Sequence, residues 1–134
     1  MELDDALEFV RSRRHGVLAT SKRDGRPQLS NISYFLGDDG VVRISVTDSR
    51  AKTRNLRRDP RASLHVAQDD FWAYAVLEGE VTLTPVAAAP DDDTVDQLVE
   101  YYRSLQGEHP DWDDYRRVMV ADGRLLVLFR PTRA

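Results

Sequence analysis

The chain has 134 residues, 41% of them hydrophobic and 31% charged, with a formal net charge of −4; this is the make-up of one soluble globular domain spanning residues 1–134. It has no cysteine, which excludes disulfides and thiolate chemistry, and its three histidines (His15, His65, His109) lack metal-ligand spacing. No apolar run approaches the roughly 18 residues of a membrane span, the first residues are acidic rather than signal-like, and the acidic balance argues against non-specific nucleic-acid binding, so the expected location is the cytoplasm.

Leu3, Leu7 and Val10 fall at helical spacing, with Asp4 as the expected N-cap and the basic run Arg11–Arg14 at the helix end, where cations suit the dipole. Gly16–Thr20 predicts a strand, Asp24-Gly25 a reverse turn, and Gln28–Phe35 a second strand started by Pro27. After the Asp38-Asp39-Gly40 turn, Val42, Ile44 and Val46 share one face of a strand, with Arg43 and Ser45 on the other. A short basic helix follows. Asp48 or Ser49 is expected to cap it, and Asp59-Pro60 to stop it.

Ala62–Val66 predicts a short strand. Ala73–Thr84 alternates, with a bend permitted at Gly79. Val95, Leu98, Val99, Tyr102 and Leu105 predict a helix that Gly107 ends; Asp111 is placed to cap another, Trp112–Ala121. Leu125–Phe129 is apolar throughout and suits a buried last strand. Six strands in antiparallel-compatible order, four short helices and no G-x-G-x-x-G argue against a parallel dinucleotide-binding sheet. They favour a fold that is mainly β with flanking helices, a small six-stranded antiparallel barrel.

Residues 48–61 carry six Lys/Arg against two Asp, a net +4 in a chain of net −4. Arg50 and Lys52 fall in the first turn of the predicted helix, where the helix dipole prefers acids. A helix N-terminus also offers free N–H groups, so this placement suits an anion. Ser45 and Thr53 can add hydroxyls, and three or four charge-assisted hydrogen bonds of ~1.5–3 kcal/mol each would support micromolar binding of a phosphorylated ligand. A solvated basic face, an oligomer interface and a nucleic-acid helix are the alternatives on spacing alone. Gln28, Ser30 and Asn31 interrupt an apolar strand pattern, which fits either a solvated edge or a polar wall for a heteroaromatic ring. Phe71-Trp72-Ala73-Tyr74 fits core or dimer packing, or stacking on a ligand. No catalytic triad or carboxylate pair is present, so any chemistry falls to a cofactor.

Gly16–Thr20, the Asp24-Gly25 turn, Arg26–Asn31, the Ser49–Leu56 helix and the later Glu78-Gly79 together resemble the pyridoxamine 5′-phosphate oxidase-like superfamily of split β-barrel flavin binders, over nearly the whole chain. More narrowly, the sequence is similar to the actinobacterial flavin/deazaflavin oxidoreductase B group, which uses coenzyme F420. The resemblance implies a homodimer with cofactor sites at the subunit interface and F420, or alternatively FMN, as cofactor. Arg50, Lys52 and Thr53 would hold the cofactor phosphate, with Ser45 nearby. Gln28, Ser30 and Asn31 would line the ring, and Trp72 and Tyr74 would come from the same or the partner subunit. The implied activity is hydride transfer from the reduced deazaflavin to a small electron-poor acceptor. An FMN-dependent oxidoreductase and a non-catalytic cofactor carrier are the other readings. The segment Phe129–Ala134 does not match the substrate-gripping arginine segment of pyridoxamine phosphate oxidases proper, which points away from that substrate.

Overall fold

A computed structural model describes residues 1–134. The elements run α1 (Leu3–Arg11), β1 (His15–Ser21), β2 (Pro27–Ser33), β3 (Phe35–Leu36), β4 (Val42–Thr47), α2 (Ala51–Arg58), β5 (Arg61–Ala67), β6 (Tyr74–Leu83), α3 (Asp93–Gln106), α4 (Trp112–Ala121) and β7 (Arg124–Arg133). The strands form one sheet in the order β2-β1-β5-β6-β7-β4-β3, with every neighbouring pair antiparallel. The sheet curls into a split barrel, as expected, with seven strands rather than six.

The extra strand arises because the predicted Gln28–Phe35 strand breaks at Tyr34. That residue is fully buried, its hydroxyl donates to Val10 O at 2.6 Å, and its N–H donates to Arg14 O at 2.8 Å. The break anchors α1, whose Ala6 and Val10 are buried in the barrel core. Asp4 does not cap α1. The N-cap is Glu2, and Asp4 lies in the first turn, where its charge still suits the dipole.

Alternation sets the inner face: Leu18, Val42, Ile44, Val46, Leu64, Leu77 and Phe129 are essentially sealed from solvent. β7 is apolar on both faces because it separates two cores. Leu125, Val127 and Phe129 enter the barrel, while Leu126 packs with Val95, Leu98, Tyr115 and Met119 under α3 and α4. Both of those helices are capped by side chains, Asp92 accepting from Val95 N and Asp111 from Asp114 N. The bend expected at Gly79 is a register shift between Glu78 and Gly79 against β7, where a Cβ would come within 2.1 Å of Arg130 O. Only glycine fits so close an approach. No helix is long and apolar enough to cross a membrane.

Candidate anion and cofactor site

β4 ends at Thr47 and the chain turns directly into α2. The Thr47 carbonyl accepts from Arg50 N–H at 3.3 Å and from the Thr53 hydroxyl at 2.8 Å, which fixes the turn. Arg50 is itself the N-cap, in extended conformation, and no side chain caps the helix. Neither Asp48 nor Ser49 takes the capping role expected of it. Asp48 instead pairs with Arg57 at 2.5 Å, one helix-length away. The N–H groups of Ala51, Lys52 and Thr53 have no acceptor in the protein. Arg50 and Lys52 stand at this open end with no carboxylate within ion-pair distance.

Lys52 is half-buried, and its amine is pushed below the usual lysine range, first by burial and then by the charges of Arg50 and Arg124. Two like charges beside a desolvated amine are unfavourable unless an anion offsets them. By contrast, Thr53 does not face the opening. It is completely buried and its hydroxyl hydrogen is committed to Thr47, so its side chain fixes the turn.

Ser45 lies on the outer face of β4, where its hydroxyl accepts from Arg124 Nη1 at 3.5 Å. The structure divides the three polar residues of β2. Gln28 and Ser30 are half-buried on the inward face, opposite Thr20 and Leu18 of β1, and Asn55 Nδ2 of α2 donates to that Thr20 hydroxyl at 3.2 Å. Asn31 points the other way and is exposed. The period of two in a strand makes that split unavoidable. Gln28 and Ser30 therefore belong with α2, and Asn31 with the outer sheet surface.

Trp72 and Tyr74 do not reach the head of α2 within one chain. Tyr74 opens β6, and nine residues or ~30 Å along that strand Leu83 pairs with Val127 of β7, three residues from Arg124 beside the head of α2. They sit at a protruding corner, Trp72 88%, Phe71 81% and Tyr74 60% exposed. Phe71 adopts φ +66°, a costly conformation for a bulky residue, which pushes the aromatic tip outward. Tyr74 stacks on His65 with ring centroids 5.4 Å apart. Leu29, 64% exposed, and half-buried Val17, Ala19 and Val76 extend this outer face, which no helix covers.

Two residues that the sequence reading passed over complete the site. Arg124 opens β7 directly opposite Thr47 and bears on Lys52. In the sequence it looks like a flanking charge; only the β4–β7 register brings it beside the basic helix. Tyr101 of α3 donates to Ser33 O at 3.0 Å, and the Ser45 backbone and Arg124 pull back a phenol that burial pushes up. It thereby bridges the split between the β2 end and β4. None of the larger clefts includes Arg50, Lys52 or Arg124; one of about 520 Å³ beyond Tyr101 is rimmed by Asp38, Asp39, Asp96 and Glu100, the wrong charge for an anion. The head of α2 is thus an open shelf in a single chain.

The split barrel has known counterparts. The sequence profile of the pyridoxamine 5′-phosphate oxidase family matches residues 3–126, and the chain belongs to that family. Among solved structures, a conserved hypothetical protein of Mycobacterium tuberculosis is similar at TM-score 0.74 and 24% identity, over 99% of this chain and 82% of that one. An F420 reductase is similar at TM-score 0.65 and 26% identity, over 93% and 92%. HutZ, the haem storage protein of Vibrio cholerae, shares the fold at TM-score 0.70 and 17% identity, over 100% and 93%.

Proposed function

We propose that this protein is an F420-dependent reductase that works as a homodimer. One observation carries the reading: an uncapped helix end with the free N–H groups of Ala51 and Lys52, flanked by Arg50 and Lys52, neither of which has a counter-ion. Natural sequences rarely leave such a conflict unless a ligand resolves it. The residues suit a phosphate-bearing cofactor, because arginine can hold a phosphate through two donors and lysine adds a point charge. The similarity to an F420 reductase supports the choice of cofactor.

In this reading Arg50, Lys52 and the free N–H groups of α2 bind the phosphate. Gln28 and Ser30 offer hydrogen bonds to the ring from the inward face of β2. When bound, the reduced deazaflavin supplies a hydride. The protein's part is to orient the ring against a small electron-poor acceptor and to exclude water. No side chain is assigned as an acid. The open shelf is closed by a second copy whose uncovered outer face docks on this one, so that Trp72 and Tyr74 serve the neighbour's site. Their position at the far corner of their own chain supports that arrangement.

Titration of the purified protein with F420, FMN and haem, followed by fluorescence or absorbance, tests the cofactor. F420 is expected to bind tightest; tighter FMN or haem binding overturns the reading. Sedimentation equilibrium tests the dimer, which Trp72→Ser should weaken; a monomeric wild type with an intact F420 site would refute the shared pocket.

A further inference from the structure

We propose that the anion seat has a third cation, Arg124 of β7, and that this residue selects ligands whose anionic end carries two or more negative charges. The inference deepens the reading above and depends on the same seat. Arg124 reaches it from a different element. Its Cα partner is Thr47, the residue from which the α2 turn hangs, and Gly123 O accepts the N–H of Asp48 at 2.9 Å. Its guanidinium donates to the Ser45 hydroxyl at 3.5 Å, a long and weak bond.

The Nε atom of Arg124 is buried and has no hydrogen-bond partner; Asp122 stands 3.9 Å from it, too far for one. Burying a charged donor without an acceptor is unfavourable, and proteins keep such groups where something else satisfies them. The nearby acid that could neutralise the cluster, Asp48, is taken by Arg57. Arg50, Lys52 and Arg124 therefore bring three positive charges together against one carboxylate, Asp122, which pairs loosely with Arg124 at 3.9 Å. A singly charged anion leaves most of that repulsion standing. A terminal phosphate monoester, or a phosphate with a second acid beside it, removes it.

The test is calorimetric titration of the full chain, at fixed ionic strength, with pyrophosphate, glycerol 3-phosphate and the singly charged dimethyl phosphate. Arg54, exposed and unpaired on the same helix, supplies the control for general loss of charge. Arg124→Gln should weaken pyrophosphate and glycerol 3-phosphate about tenfold, Arg124→Lys less, and both should leave dimethyl phosphate within about twofold. Arg54→Gln should leave all three within about twofold. Equal effects of Arg124→Gln and Arg54→Gln on the two multiply charged ligands would overturn the third cation. Loss of pyrophosphate binding in Arg50→Gln but not in Arg124→Gln would sink this inference alone, and indifference of both would sink the seat itself. The native protein gives an independent readout: the Arg124 Nε–H resonance should shift on saturation with pyrophosphate, and a stationary resonance refutes the assignment.

Discussion

At the tail of α2, Arg57 reaches Asp48, Arg58 donates to Ser21 O at 2.8 Å and Asn55 Oδ1 at 3.0 Å, and Arg61 holds Asp59 with two donors. At its head, Arg50 and Lys52 have no such partners and the helix N–H groups are open. The six cations of this segment are one charge run in sequence, but in space Arg57, Arg58 and Arg61 form a paired tail, Arg50 and Lys52 an unpaired head, and Arg54 stands exposed between them. Those at the tail all have partners in the protein, and Arg58 ties the helix to β1. Those at the head are held apart from every carboxylate that could quench them. Charge count marked the segment; counter-ions distinguish structure from site.

The sharpest way to break this comparison is to remove both head cations. Arg50→Gln with Lys52→Gln should lower cofactor affinity more than a hundredfold, from ~1.5–3 kcal/mol for each charge-assisted contact, with the fold intact by circular dichroism. Lys52→Met alone should weaken binding about ten- to hundredfold while raising the melting temperature of the unliganded protein, because a desolvated amine beside two arginines is gone. A lower melting temperature would show that the head is structural after all.

At the tail, Asn55→Ala should act in the opposite sense. It strands the buried Thr20 hydroxyl and removes one of the two acceptors of Arg58, at about 1–3 kcal/mol of stability by denaturant titration. Titration with pH sharpens the contrast further. The Lys52 amine is held below the ordinary value of 10.5, so it loses its proton, and anion affinity falls, before pH reaches that value. Across the same window the unfolded chain keeps a proton that the folded chain has released, so unliganded stability rises with pH. Affinity flat up to pH 10.5 would contradict this. The smallest effect belongs to Arg57→Gln, whose ion pair is about half exposed: under ~1 kcal/mol in stability and no change in affinity.

Much of the barrel was legible because alternation is a direct consequence of strand geometry. Val42, Ile44 and Val46 face inward as read, and Asp111 and Gly107 act at the helix ends where their chemistry places them. The break at Tyr34 was invisible, since Ile32 and Tyr34 keep the period across it. In the site, Arg50 and Lys52 announced themselves by conflict with the dipole. Thr53 looked the same as its neighbours in sequence, but the helix period turns it into the core. Asn31 was grouped with Gln28 and Ser30 by proximity along the chain, although odd and even positions of a strand cannot share a wall. Arg124 depended on a pairing between residues 77 positions apart, which no local pattern encodes.

The place of β7 in the sheet has a consequence for biosynthesis. It lies between β6 and β4, and without it the strands fall into two unconnected sets, β2-β1-β5-β6 and β4-β3. While a ribosome is still making residues 124–133, the nascent polypeptide cannot close its barrel and leaves the apolar edges of both sets unpaired. The barrel can close only once β7 has emerged, and until then both strand edges are open to mispairing.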